Sequence, residues 1–350
     1  MQGEIRWLQA LRGVAVLLVV LFHVALQERA TIPSMQYLEF FIYFGYGGVN
    51  LFFVISGFIM VYISLGRWGY RAQWRDFVLR RMIRIYPTYW AVFLITVAVF
   101  SGYYGKQSCL GGDWGKTIGA ITLARDPRDM CFVPQAWTLH WELLFYLTFS
   151  AVFFVGHKWA IRLGVIWAIA SAAVIAFARD GVSEDIFNYC IYNLHFLAGA
   201  ALCLFYARTD LRYPVIWVSG GALLFVLAGI LNSRGMMDTE DTLHRLAQFV
   251  PASLMLLLGA LGLEKRDIAV PTWLLLIGNA SYSIYLIHLT TFLAFRRATA
   301  GMVHTPATHL IWVIGLVAVA IIPGVLIHYA FERPAIKLGK RAIPRSSLAN

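Results

Sequence analysis

The sequence predicts an all-α polytopic integral membrane protein of about ten transmembrane helices with both termini cytoplasmic, and three observations lead there. Of its 350 residues, 60% are hydrophobic and only 13% charged, about half the charged fraction of an ordinary globular domain. The mean hydropathy of +0.68, with 15% aromatic residues and 12 Trp, is more apolar surface than a water-soluble core of this length needs. Disorder, collagen and coiled coil are excluded on the same figures. The third observation is the basic excess, 29 Lys and Arg against 18 Asp and Glu for a formal charge of +11. In a soluble chain this would suggest nucleic acid, so where the charges sit decides its meaning.

Apolar stretches of about 17–25 residues, long enough to cross the hydrocarbon core, recur between charged or Gly/Pro punctuation. The first, near 6–27, contains Arg12 and His23 and lacks the small-residue cleavage site of a signal peptide. The second, near 39–65, ends at Gly66-Arg67, and the third, near 86–103, begins at Tyr86-Pro87 after a run of arginines. The fourth, near 136–156, holds His140 and Glu142 and stops before His157-Lys158. Four more lie near 159–178, 188–206, 214–231 and 246–263, and the ninth, near 272–295, carries Asn279, Ser281 and His288. The last, near 308–331, closes at Glu332-Arg333-Pro334. Residues 1–334 read as one membrane domain and 335–350 as a short basic cytoplasmic tail.

Alternating the connecting segments with the N-terminus inside tests this arrangement. The inside segments then carry 19 of the 29 basic and 6 of the 18 acidic residues, a net +13, and the outside segments 10 basic and 11 acidic, a net −1, with Glu142 inside a span. That bias is the positive-inside signature of a multi-pass membrane protein, and it removes nucleic acid as a partner. Cys109, Cys131, Cys190 and Cys203 show no metal-type spacing, so no metal is expected. Cys109 and Cys131 share an outside loop, where a disulfide and two free thiols are both open readings.

Ionisable groups at membrane depth are costly and mark function by default. Arg12 and His23 are eleven residues apart. At about 100° per residue that is about 20° past three full turns, so they share a helix face about 16–17 Å apart along the axis. One face thus carries a fixed cation near the cytoplasm and an imidazole near mid-membrane, where a neutral ring can serve as a general base. In the second span, glycines at 45, 47, 48 and 57 allow close approach of a helix or a ligand, and Asn50 offers an amide in apolar surroundings. Residues 66–87 read as an inside loop rich in arginine, at whose end Arg81 and Arg84 share a helical face at i, i+3 and can grip phosphate, or serve as topology signals beside anionic lipid headgroups. In the fourth span His140 and Glu142 are two residues apart and point to different sides of a helix, which leaves Glu142 as the candidate. The histidines at 157, 195, 244, 304, 309 and 328 show no ligand spacing and read as structural or interfacial.

Taken together these motifs resemble the acyltransferase-3 family of integral-membrane acyltransferases, especially its stand-alone bacterial members that acetylate exopolysaccharide. The resemblance rests on Arg12-x10-His23, the Gly-Gly-Val-Asn-x-Phe-Phe-Val-x-Ser-Gly-Phe run at 47–58, and Arg81-x-x-Arg84. It continues through Trp137-Thr-Leu-x-x-Glu142-x-x-x-Tyr146, Ser281-Tyr-Ser-Ile-Tyr-Leu-Ile-His288 and Glu332-Arg333-Pro334. It implies transfer of an acyl group, expected to be acetyl, from cytoplasmic acetyl-CoA to a hydroxyl of a sugar in a surface polysaccharide or its lipid-linked precursor. By that resemblance Arg12 and His23 are essential, His23 is the general base, and Arg12, Arg81 and Arg84 face the CoA phosphates. Glu142 and Asn50 are expected to orient His23 or the acceptor, although many relatives have Asp where Asn50 stands. Some relatives also carry a C-terminal esterase-like domain, which is not expected in a chain ending at Asn350. A transporter or flippase of lipid-linked saccharides is the rival reading, disfavoured by the missing internal repeat; within the family, a lipid, macrolide or peptidoglycan hydroxyl is the alternative acceptor. Besides acyl-CoA and the acceptor, membrane lipids are the expected partners, and the sequence sets no oligomeric state.

Overall fold

The structure is a computed structural model that describes residues 4–31, 37–100, 114–124, 133–178, 181–206, 209, 211–236, 242–300 and 306–343. Cys109, Cys131 and His304 lie outside them. In chain order the helices are α1 (Arg6–Thr31), α2 (Tyr37–Ser64), α3 (Ala72–Phe100), α4 (Trp114–Thr122), α5 (Trp137–Phe149), α6 (His157–Phe177) and α7 (Glu184–Tyr206). They continue with α8 (Pro214–Ser233), α9 (Thr242–Glu264), α10 (Thr272–Asn279), α11 (Ser281–Ala298), α12 (Pro306–Ile327) and α13 (Arg333–Ala342). There is no strand among the described residues. Helix is what the composition requires, because in lipid every backbone N–H and C=O must be satisfied within the segment.

Eight helices among the described residues are long and apolar enough to cross a membrane, and nine if α10 and α11, interrupted at Ala280, form one broken span. The difference from ten lies at 136–156. There the α-helix ends at Phe149 after 13 residues and continues as a 3-10 turn over Ser150–Phe154, so its regular part extends only about 20 Å. A second difference is at the arginine run. Arg75, Arg80, Arg81 and Arg84 are not in a loop; α3 begins at Ala72 and runs through Pro87. Proline at an interior position leaves the carbonyl four residues earlier unpaired and bends a helix, and here it follows the charged half of α3 directly.

The chain divides into two compact units, residues 1–71 with 151–279 and residues 72–150 with 280–350. In the first, glycine sets the helix spacing. A Cβ at Gly45 or Gly48 would meet the carbonyl oxygens of Leu18 or Ala15 in α1, and one at Gly278 would overlap the Gln9 carbonyl. Gly57 of α2 and Gly199 of α7 abut the Phe196 and Val54 carbonyls in the same way. Such contacts let backbones approach where lipid provides no hydrophobic drive for helix association. The glycines of the second span therefore act in packing. Large apolar side chains face outward instead, for example Ile166 and Ile169 at 59% and 63% exposure, as suits a lipid-facing surface.

The second unit relies on polar cross-links. Tyr285 donates to the Gln135 carbonyl at 2.7 Å and accepts from Thr138 at 2.9 Å, tying α11 to the start of α5. Thr96 and Thr290 join α3 to α11 at 2.9 Å. The Tyr282 hydroxyl donates to the Ile85 carbonyl at 2.8 Å, just before Pro87. After α12 the chain forms one π-turn over His328–Glu332 before α13, a feature often found at functional sites.

Candidate active site

The first unit holds Arg12, His23 and Asn50. The N-terminal end of α1 is fixed by Trp7, whose amide donates to Glu264 at 2.8 Å and whose indole donates to the Ile268 carbonyl at 2.7 Å. These bonds set the depth of the helix and hence of Arg12, which is buried at 8% exposure and donates to Gln9 at 2.9 Å. His23, half-buried on α1, has Nδ1 2.9 Å from the Val19 carbonyl. A carbonyl only accepts, so Nδ1 carries the proton and the neutral ring keeps its lone pair on Nε2. Its edge meets the Phe22 ring at 4.7 Å, and Phe22 in turn meets Tyr46 of α2 at 5.9 Å. Asn50 is buried at 4% exposure, and its amide nitrogen has no hydrogen-bond partner among the described residues.

The second unit holds Arg81, Arg84 and Glu142. The Arg81 guanidinium lies over the rings of Phe77 and Tyr146, at 5.8 and 5.7 Å. The Tyr146 hydroxyl donates to Glu142 one turn away on α5, and both Glu142 and Arg84 are within electrostatic reach of Arg81. Glu142 is thus held in a cation–aromatic–carboxylate cluster with Arg81. His140, two residues away, uses a different partner, the Leu123 carbonyl at 2.8 Å.

A further cluster was not predicted as a site. Glu332, 2% exposed, accepts from Ser283 at 2.6 Å and from His328 Nδ1 at 2.9 Å, with Arg84 within electrostatic reach. His328 is therefore not an isolated histidine. The i, i+4 spacing of His328 and Glu332 is readable in the sequence, but the Ser283 contact spans 49 residues. The Arg84 guanidinium thus sits near a bound carboxylate. No group of three or more potential metal ligands occurs among the described residues, and sites of this make-up, cations with aromatic and amide neighbours, suit organic anions.

The family described as an acyltransferase domain matches residues 5–329. The exopolysaccharide production protein ExoZ of Rhizobium meliloti (strain 1021) is 30% identical over 334 residues, covering 87% of this chain and 94% of that one. The acyltransferase MdmB of Streptomyces mycarofaciens is 25% identical over 328 residues, covering 85% and 82%. No solved structure matches. With the match running from the start of α1 to the π-turn after α12, across eight or nine apolar spans among the described residues, this protein belongs to the acyltransferase-3 family and is a multi-pass membrane acyltransferase.

Proposed function

We propose that the protein moves an acetyl group from cytoplasmic acetyl-CoA to a hydroxyl of a surface polysaccharide or its lipid-linked precursor, from the bacterial inner membrane. The observation that carries the reading is His23, with its proton held on Nδ1 by the Val19 carbonyl and its lone pair on Nε2. Nε2 takes the proton of the acceptor hydroxyl as that oxygen attacks the thioester carbonyl. The tetrahedral adduct then collapses, the C–S bond breaks, and the departing CoA sulfur takes the proton from Nε2. Because the base lies on a transmembrane helix, its apolar surroundings disfavour hydrolysis of the thioester by water.

Arg12, fixed in depth by the Trp7 bonds, is proposed as a ligand of the donor's phosphates. Arg81 and Arg84 on α3 are proposed in the same role, with Glu142 and Tyr146 holding the Arg81 guanidinium in place. A saccharide acceptor is supported by the Rhizobium relative, an exopolysaccharide production protein that aligns over 94% of its length. The test is mass spectrometry of surface glycan from cells that carry His23→Ala in place of the native chain. Loss of glycan acetylation with normal membrane levels of the protein is expected; full acetylation in that variant would overturn the assignment.

A further inference from the structure

The basic stretch that follows the last span is held, over Arg333–Ala342, as α13. Gly339 brings this helix directly onto α3, since a Cβ there would stand 2.5 Å from Cγ2 of Ile83. Ile83 lies between Arg81 and Arg84 and one turn after Arg80, so α13 packs on the arginine-bearing part of α3. Ala335 and Ile336, four and three residues before Gly339, share its face and are half-buried. Lys340 stands about 100° round the helix from Gly339. It is within electrostatic reach of Arg80, Arg81 and Arg84.

Each of the three arginines has a carboxylate near it. Arg80 pairs with Asp76 at 3.6 Å, Arg81 is within reach of Glu142, and Arg84 is within reach of Glu332. Lys340 has none: among the described residues, the charged groups within its reach are the three guanidiniums. Four cations thus share three carboxylates, and like charges brought together repel. The last turn of a helix favours a lysine through the helix dipole, which accounts for its sign but not for its approach to three arginines. The arginines also keep donors to spare. The Arg80–Asp76 separation is beyond hydrogen-bond length, and Glu332 already accepts from Ser283 and His328. No enclosed cavity is needed to reach this group, because the Arg80 side chain is 39% exposed and Lys340 is exposed.

A phosphate monoester carries a charge of about −1.5 to −2 at neutral pH and three strong acceptor oxygens. It offsets the surplus cation and accepts from donors on two helices at once, with the guanidiniums binding as forks and the ammonium as a point charge. From this arrangement we infer that α13 completes a seat for a phosphate monoester on α3, in which Lys340 and Arg80 join Arg81 and Arg84. The inference rests on the proposed acyl-CoA donor for one source of that group, the ribose 3′-phosphate of CoA. A lipid headgroup that ends in a phosphate monoester has the same chemistry and is the other source. Lys340 is a binding residue and takes no part in the proton transfer.

The test is isothermal titration of the full-length protein in neutral detergent with CoA, with dephospho-CoA, which lacks only the 3′-phosphate, and with dihexanoyl phosphatidic acid. CoA is expected to bind about tenfold tighter than dephospho-CoA, the lower end for a charge-assisted contact. Lys340→Gln should cut that ratio by about three- to fivefold, the upper range for an exposed ion pair, and Lys340→Arg should keep it. Lys337→Gln removes the same charge from the same helix and should leave the ratio unchanged. Equal binding of CoA and dephospho-CoA, with phosphatidic acid binding that depends on Lys340, supports the seat and assigns it to a lipid. The seat is overturned if neither ligand depends on Lys340, or if Lys337→Gln acts as strongly as Lys340→Gln. Without ligand, the Lys340→Gln protein should unfold at a midpoint no lower than wild type, because the lysine faces only cations; a midpoint several degrees lower would give Lys340 a role in the fold instead and overturn the seat. Acetyl transfer from acetyl-CoA to isolated glycan is followed separately. Transfer with phosphate binding indifferent to Lys340 sinks the seat and leaves the proposed function standing; Lys340-dependent binding with no transfer to any saccharide does the reverse.

Discussion

The two units of the chain solve the same problem, holding polar groups in a lipid solvent, by different means. In the first, the backbones of α1, α2, α7 and α10 meet at glycines, and an added Cβ at Gly45, Gly57, Gly199 or Gly278 would run into a facing carbonyl. Close backbone approach sets the spacing of these helices, and polar side chains such as Asn50 and His195 retain atoms without a hydrogen-bond partner among the described residues. In the second, Gly324 also abuts the Ile284 backbone, but side-chain hydrogen bonds add the links between helices. Tyr285 with Gln135, Tyr282 with Ile85 and Glu332 with Ser283 and His328 are long-range or closing hydrogen bonds. Both units still hold buried polar atoms with no hydrogen-bond partner among the described residues, Asn50 Nδ2 and His195 Nε2 in the first and Thr88 Oγ1 and Ser281 Oγ in the second. The difference lies in what joins the helices, close backbone approach in the first and long-range side-chain bonds in the second.

The largest expected effect is at the base. His23→Ala should lower the turnover of acetyl-CoA on isolated glycan by about a hundred- to ten-thousandfold, the range for loss of a positioned general base, while leaving the melting temperature close to wild type. A single-turnover reaction with radiolabelled acetyl-CoA and no acceptor refines this. Label retained on wild type but absent from His23→Ala would mean that Nε2 attacks the thioester itself and carries the acyl group covalently; no retained label supports direct transfer.

Packing comes next. Gly57→Val places branched carbons against the Phe196 backbone, and overpacking of this kind costs about 1–3 kcal/mol or more. Early thermal unfolding and poor recovery of monodisperse protein are expected. Gly164→Ala on α6, where nothing lies within 4 Å, should be neutral or gain about 1 kcal/mol from helix propensity. If the two variants unfold alike, glycine packing is not what holds the first unit.

Much of this comparison could be read from the chain itself, and the remainder fails for identifiable physical reasons. Periodicity alone gives Arg12 and His23 on one face, and apolar length gives most of the spans, because both are local properties. The proton on His23 Nδ1 is local as well, since Val19 is one turn back. By contrast, Ser283 with Glu332 and Arg245 with Tyr46 join residues 49 and 199 positions apart, which no window of sequence connects. Residues 136–156 read as one span by hydropathy, and the structure adds what hydropathy does not carry, a change from α-helix to a 3-10 turn after Phe149. The arginines before Pro87 look like a loop by charge, yet arginine is a good helix former, and α3 runs through four of them, Arg75, Arg80, Arg81 and Arg84.

Within the second unit, Glu332→Ala removes the acceptor of both Ser283 and His328. Leaving those groups unpaired should cost about 1–3 kcal/mol, read as a lower midpoint of thermal unfolding. Glu332→Gln keeps an acceptor oxygen and should lose less. A midpoint in Glu332→Ala equal to wild type would mean that the network is not what braces α11 against the π-turn.

The smallest effect separates the two roles open to Glu142. Tyr146→Phe removes the hydroxyl that donates to Glu142 but keeps the ring under the Arg81 guanidinium. The expected loss is about 1 kcal/mol, appearing as a rise in KM for acetyl-CoA of about fivefold with kcat little changed. If Glu142 acts through Tyr146 and Arg81, then Glu142→Gln and the double variant should show coupling of about 0.5 kcal/mol or more in the same KM. If Glu142 instead orients the base or the acceptor, its substitution lowers kcat, and the effects of the two changes add. The bonded, cation-holding character of the second unit predicts the coupled result, since a carboxylate already engaged by a tyrosine hydroxyl and near a guanidinium has little remaining capacity to direct a proton transfer.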